Sequence, residues 1–361
     1  MNWLLLYLAV AIAATVLSAA FTPVCRKLAW HTNFLDKPLG EMHKKHDSAK
    51  ALMGGVAMAA AWSAVIFGGV GLALVMPNSL PHAVQAHVPG VRSSLPLLVA
   101  IAGGGLALAV LGLRDDRTPM GPLKKLLWQL VICGLVATNE HLRVTLFWDQ
   151  PLVTWGMTTF WFLFIVNAFN FFDNMDGLAS GMAIIGAGLF AVVAGFQGQH
   201  FVTALGAATA GSALGFYFYN KSPASIFMGD CGSHFLGFML ACLGSLTVFY
   251  RSETPTTAPV LIPLFILALP IFDTFAVCVI RIRAGKKIYH GDHNHISHRF
   301  HKSGVSRKTA VLLVHLLALA IGLGALPLMW LEIRGVILVF LQTAAMLLIV
   351  TILQFAQTED S

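Results

Sequence analysis

Carboxylates gather at a few points of this chain. They stand in the pair Asp115-Asp116, in the run from Asn170 through Asp173 and Asp176 to Gly177, in Phe227-Met228-Gly229-Asp230, and in a histidine loop from Asp292 through His295 and His298 to Arg299. Adjacent carboxylates can bind a divalent cation or hold one proton between them. A solvated turn is the plain alternative for Asp115 and Asp116, and the pair by itself does not decide. Asn170, Asp173 and Asp176 recur every third residue, so on a continuing helix they would lie along one side, a row that packing does not explain. Asp230 sits between two glycines just before an apolar run. Backbone N–H groups at such a helix start favour phosphate, and a carboxylate there can carry Mg²⁺ to it. His295 and His298 are three apart, with Arg299 beside them. Zinc is the rival reading, but the lack of a cysteine partner and the many nearby Arg and Lys favour an anion.

The elements that must position these residues are membrane helices. Of 361 residues 57% are hydrophobic and 11% charged, against roughly 25% charged in an average soluble domain. Apolar runs of about 17 to 25 residues can cross a ~30 Å hydrocarbon core as helices. Eleven stand out, near 3–21, 53–76, 97–113, 123–139, 155–172, 179–196, 201–219, 234–250, 259–281, 309–330 and 336–355. No Lys or Arg precedes the first run and Arg26 and Lys27 follow it, the reverse of a secretory leader, which predicts a retained helix with its N-terminus outside. On that map nineteen of the 23 Lys and Arg fall on the inner side, and only Arg92, Arg143, Arg251 and Arg334 fall outside. Short cytoplasmic loops hold such an excess. The expectation is an all-α polytopic bundle forming one membrane domain over 1–361, with the C-terminus cytoplasmic. The net charge of +7 is then a topology and headgroup signal, not one of nucleic-acid binding. Five unpaired cysteines show neither a disulfide framework nor a C-x-x-C zinc pattern.

Aspartates share the inner bias. Of the eleven, Asp149 alone is placed outside, and Asp273 lies within a crossing. Charge bias in topology does not demand this, because Asp and Glu contribute little to orientation. Several inner carboxylates, many inner cations and a bundle that can hold a lipid tail suit phosphoryl transfer from a nucleotide-activated donor to a membrane-dissolved acceptor. That chemistry relies on positioning and charge neutralisation, with Mg²⁺ held by one or two carboxylates plus substrate phosphates. The residues by themselves reach this reaction class and no further.

At these residues the chain resembles the polyprenyl-phosphate N-acetylhexosamine-1-phosphate transferases. The motifs in order are Asp36-x-Pro38 with His46 and Gly54-Gly55, Asp115-Asp116 with Lys125 and Gln129, Asn167 through Leu178, Phe227 through Ser233, Pro270-x-x-Asp273, and the histidine loop. The resemblance implies transfer of a sugar-1-phosphate from a UDP-N-acetylhexosamine to undecaprenyl phosphate, releasing UMP, at the cytoplasmic face of the inner (plasma) membrane among its lipids. It implies Mg²⁺, or Mn²⁺ in its place, held by Asp230 and Asp116. Asp115, Asp116 and Asp173 become the catalytic candidates. Lys50, Lys125, Asn170, Asp176, Asn220, Phe227, His295, His298 and Arg299 become substrate contacts, with Phe227 stacking on uracil and the His295–Arg299 loop neutralising the donor pyrophosphate. Asp273 is a weaker candidate, with a buried helix–helix contact as its alternative. A homodimer is left open.

Within that family, His295-Ile296-Ser297-His298-Arg299 is closer to the His-Ile-His-His form of the N-acetylglucosamine-1-phosphate branch than to the three consecutive histidines of the muramoyl-pentapeptide branch. Ser297 and Ala51 depart from the pattern, and the first leaves the sugar less determined. Two other classes fit less well. An ion-coupled secondary transporter would place its acids near the bilayer midplane, and a CDP-alcohol phosphotransferase shares Asp-x-x-Asp-Gly but continues differently from Leu178-Ala179-Ser180.

Overall fold

The computed structural model describes residues 3–36, 49–146, 148–250, 254–289 and 294–355. Pro38, His46, Arg251 and Asp292 lie outside them. The chain is an all-α polytopic bundle. Its helices are α1 (Trp3–His31), α2 (Gly54–Val75), α3 (Leu95–Arg117), α4 (Pro122–Val136), α5 (Pro151–Phe172), α6 (Leu178–Phe196), α7 (His200–Asn220), α8 (Gly229–Leu246), α9 (Ile262–Ile266), α10 (Ala268–Arg283), α11 (Ile296–Lys302), α12 (Arg307–Ala325) and α13 (Ile333–Phe355), apart from two short helices in the connection after α2, His82–Gln85 and Val88–Ser93. Pro122 and Pro151 open α4 and α5, where a missing N–H costs nothing.

Among the described residues eight helices are long and apolar enough to cross a membrane, or nine if one bent pair counts as a span. Each of the eleven expected runs is helical, but three differ from a plain crossing. The run near 123–139 is the 15-residue α4, roughly 22 Å long at 1.5 Å per residue and so shorter than the hydrocarbon core. The run near 234–250 is α8, which begins earlier, at the polar Gly229-Asp230. The run near 259–281 breaks at Leu267 with a 69° bend between Ala258–Ile266 and α10. Pro270 supplies the cause, since it has no N–H for the carbonyl of Ile266 and its ring clashes there.

Helix α8 is the axis of the bundle. It packs on α2, α3, α5, α6 and α7, and from Cys231 to Gly244 every residue is buried. Helix α1 lies against α7 and α2, and α12 against α6. Leu4, Leu5, Ile12 and Val16 on α1, and Ile337, Leu338 and Leu341 on α13, are exposed. Apolar side chains there fit a lipid solvent and would be poor in water. A two-stranded antiparallel pairing, β1 (Leu35–Asp36) with β2 (Lys50–Ala51), sets Asp36 opposite Lys50. It is tied to the loop before α8 by Phe227 N donating to the Ala51 carbonyl at 2.9 Å, and by Gly54 N and Gly55 N donating to the Phe227 and Met228 carbonyls at 3.0 Å each. The C-terminal ends of α3, α5 and α7 and the N-terminal ends of α2, α6, α8 and α12 thus meet at one end of the bundle.

Candidate active site

That end holds a cavity of about 860 Å³. One wall is acidic: Asp115 and Asp116 from α3, Asp173 and Asp176 from the turn after α5, and Asp230 from α8. Asp230 is the hub. Its carboxylate receives the Lys125 ammonium from α4, which also pairs with Asp115 at 3.1 Å, and the Asn170 amide from α5 at 2.8 Å. Asn170 Nδ2 reaches Ser233 Oγ as well, at 2.8 Å. Two helices, α4 and α5, therefore reach one carboxylate that lies 105 and 60 positions further along the chain.

Asp116 holds that carboxylate's backbone. Its two oxygens accept from Asp230 N at 2.9 Å and Cys231 N at 3.1 Å, so it caps the start of α8 from another helix, where a negative charge is favoured. The helices can approach because Gly112 stands where a Cβ would lie 2.3 Å from the Asp230 carbonyl oxygen. Asp115 Oδ1 accepts from Met120 N at 2.5 Å and closes the turn into α4. Asp173 caps the C-terminal end of α5 and is half-buried. Burial first, and then the charges of Asp230, Asp116 and Asp176, push its carboxyl up to about 8.

Basic groups line the same cavity. They are His298, His301 and Lys302 of α11, Arg307 at the start of α12, and Lys50 of the strand pair, whose Asp36 lines it too. His298, His301 and Lys302 recur at helical spacing and share one face of α11, a periodicity already present in the sequence. His301, Lys302 and Arg307 lie beyond the histidine motif that ends at Arg299, and Asp36 belongs to a motif with no site role attached, so none of the four was among the expected site residues.

The remaining expected residues separate. Phe227, Asp176 and Asn220 line the cavity. Asn220 is nevertheless committed locally: Oδ1 accepts from Gly177 N at 3.2 Å and Ser180 Oγ at 2.7 Å, and Nδ2 donates to the Ile226 carbonyl at 3.1 Å. It fastens the left-handed turn at Gly177 (φ 78°) to the loop carrying Phe227. Asp176 Oδ2 accepts from Ala224 N at 2.9 Å. Two expected pyrophosphate contacts are not brought to the cavity. His295 is buried, with Nδ1 2.7 Å from Asp273 Oδ2, while Asp273 Oδ1 accepts from Ile296 N at 2.7 Å. Asp273 thereby anchors the start of α11 to α10, which makes it a positioning group. Arg299, unlike His298, does not line that cavity but a second, apolar groove of about 630 Å³ with Phe272, Val279 and Arg283.

Among the described residues no three His, Cys, Asp or Glu side chains form a metal cage. An all-protein cage is not what Mg²⁺ needs, since it keeps several waters and takes one or two carboxylates together with substrate phosphates. An acidic wall of carboxylate oxygens without thiolates suits such a hard cation.

A family model, glycosyl transferase family 4, matches residues 98–248, the stretch from α3 to just past α8 that carries Asp115, Asp116, Asp173, Asp176 and Asp230 of the cavity. A Bacillus subtilis (strain 168) protein named a probable undecaprenyl-phosphate N-acetylglucosaminyl 1-phosphate transferase is 32% identical over 339 residues, 90% of this chain and 87% of that one. The chain belongs to glycosyl transferase family 4. Similarity within the family extends to a decaprenyl-phosphate N-acetylglucosaminephosphotransferase of Mycolicibacterium smegmatis, 31% identical over 76% of this chain and 70% of that one. A shorter stretch, 37% of this chain and 44% of the relative, is 41% identical to a phospho-N-acetylmuramoyl-pentapeptide-transferase of Lactiplantibacillus plantarum.

Proposed function

We propose that this family 4 protein transfers N-acetylglucosamine-1-phosphate from UDP-N-acetylglucosamine to undecaprenyl phosphate and releases UMP, starting a lipid-linked cell-envelope glycan. The observation that carries the reading is the convergence on Asp230 of Lys125, Asn170 and Asp116 from three helices, in a cavity also lined by the basic face of α11, at one end of a lipid-facing bundle. The near full-length relative from Bacillus subtilis supports the same activity and sugar.

The donor pyrophosphate would lie between the acidic wall and His298, His301, Lys302 and Arg307, with its nucleoside towards Phe227 and Asp176. An oxygen of the acceptor phosphate attacks the phosphorus that bears the sugar. The bond from that phosphorus to the bridging oxygen breaks, UMP leaves with the electron pair, and a new pyrophosphate links sugar to lipid. Asp230, with Asp116 and Asp173 beside it, would hold Mg²⁺, which supplies charge neutralisation on the phosphate oxygens when bound. Lys125 keeps Asp115 and Asp230 together and can follow the phosphates as they gain charge. The apolar groove of Phe272 and Val279, ending in Arg283 and Arg299, offers the isoprenoid tail a lateral path, with α11 as the partition between groove and cavity.

In this reading the chain crosses eleven times, with its N-terminus outside, and the cavity opens to the cytoplasm. The distribution of Lys and Arg supports it, and membrane-impermeant thiol labelling of cysteines placed at Asp149 and at Lys302 tests it. Protein purified in detergent, given undecaprenyl phosphate, Mg²⁺ and UDP-N-acetylglucosamine, should release UMP. Release only with UDP-N-acetylmuramoyl-pentapeptide would move the protein to the peptidoglycan branch. No UMP from any UDP-sugar, with ion flux in liposomes, would replace the enzyme with a transporter.

A further inference from the structure

Beneath the acidic wall lies a second polar layer. Helices α4, α5 and α8 present Lys125, Asn170 and Asp230 to one another at the cavity, and one turn deeper they carry Gln129, Asn167 and His234. Gln129 and His234 are 0% exposed. Asn167 Nδ2 donates to its own helix at the Leu163 carbonyl (2.8 Å) and to Gln129 Oε1 (2.9 Å). With its oxygen so used, Gln129 presents Nε2 to His234 Nε2 at 3.2 Å. That nitrogen must accept, so the ring proton sits on Nδ1, and the ring's further polar interaction is with the backbone of Leu108 on α3. A fully buried imidazole is a costly way to fill space, because each of its nitrogens must be met by a neighbour. Phenylalanine would pack the same position with no polar atom to satisfy, so packing does not account for the histidine.

We propose that Gln129, Asn167 and His234 are positioning residues, a cross-helix chain that sets the axial height of α4 against α5 and α8 and so delivers Lys125 and Asn170 to Asp230. Each member stands three or four residues from the cavity group on its own helix, so register at the lower layer is transmitted directly to the upper one. A slip of α4 by one residue is about 1.5 Å. A misplacement of about 1 Å at a reacting centre costs on the order of a hundredfold in rate. The layer supports the end of the cavity where phosphorus is transferred, while Phe227 and Asp176 lie on other segments, so its loss should fall on kcat and leave donor KM alone.

The inference rests on the transferase reading, and wild-type turnover under the same conditions separates the two: a silent wild type would fail the reading itself. The test is the pair Gln129→Leu with His234→Phe in one protein. Both hydrogen-bonding partners go together, and Asn167 keeps the Leu163 carbonyl, so no new buried polar group is stranded. The expected result is a thermal midpoint in detergent at or above wild type, kcat down at least tenfold, and KM for UDP-N-acetylglucosamine within about twofold. His234→Gln alone, which retains an acceptor near the place of Nε2, should stay within about threefold of wild-type kcat. A double variant with near wild-type kcat would overturn the proposal. So would a fall in midpoint of several degrees that parallels the rate, or a His234→Gln protein as slow as the double variant, because each would reduce the three side chains to packing.

Discussion

Gly229→Ala probes how Asp230 is held. Gly229 lies at φ 66°, and a Cβ there would sit 2.4 Å from Asp116 Oδ2. A left-handed conformation costs an L-residue roughly 1–2 kcal/mol. To escape the methyl group Asp116 must withdraw Oδ2 from Cys231 N, and a hydrogen bond to a charged group contributes about 1.5–3 kcal/mol. The combined cost of roughly 2.5–5 kcal/mol, at about 1.4 kcal/mol per factor of ten, lowers the population with Asp230 in place by on the order of a hundred- to a thousandfold. Initial rates of UMP release should fall by that much, while the protein still purifies as a folded species. Gly188→Ala on α6 is the control: nothing lies within 4 Å of its Cβ position, and turnover should be unchanged. A Gly229→Ala protein within threefold of wild type would refute the claim that Asp116 fixes the start of α8.

Asp230→Asn should reduce turnover by a thousandfold or more, because the hub loses the charge that gathers Lys125 and would hold the cation; Asp149→Asn, at an exposed position in the connection before α5, should leave the rate near wild type. Asp273→Asn keeps one acceptor but loses the charge-assisted contacts to His295 and Ile296, worth about 1.5–3 kcal/mol. Donor KM should rise as α11 leaves the cavity wall, read by steady-state kinetics. In metal-free protein Asp173 is neutral when folded and ionised when unfolded between its ordinary 3.8 and about 8. The folded state then binds the extra proton, so thermal stability should fall as pH rises through that window. Asp173→Asn should flatten the fall, and an unchanged slope in the variant would remove the shifted carboxyl from the account.

The membrane helices and the acids at their ends were legible because both signals are local: apolar runs of spanning length, and Asp residues spaced along one helix side. The break at Leu267 was legible too, in Pro270, but a hydropathy window smooths over one proline. What the sequence could not convey was pairing across distance. Lys125 meets Asp230 across 105 positions, and nothing near either residue announces it. His295 looked like a phosphate ligand beside His298 and Arg299, yet Asp273, on the preceding helix, takes it into the core. Arg299 leaves the face of α11 that carries His298 because adjacent helix positions differ by about 100°, and it lines the second groove. Continuing the same count past Arg299 places His301 and Lys302 beside His298. Asp116, expected as catalytic and metal-bound, is also the cap of α8, a role that depends on the close passage of α3 at Gly112.

Transfer of sugar and phosphate as one unit is the central claim, and a doubly labelled donor tests it most directly. UDP-N-acetylglucosamine carrying label in the sugar and, separately, in the phosphate next to the sugar is incubated with the purified protein, undecaprenyl phosphate and Mg²⁺, and the lipid is extracted. Both labels should enter the lipid in equal amounts, matched by UMP in the aqueous phase. Sugar label entering without phosphate label, with UDP as the product, or neither label reaching the lipid, would contradict it.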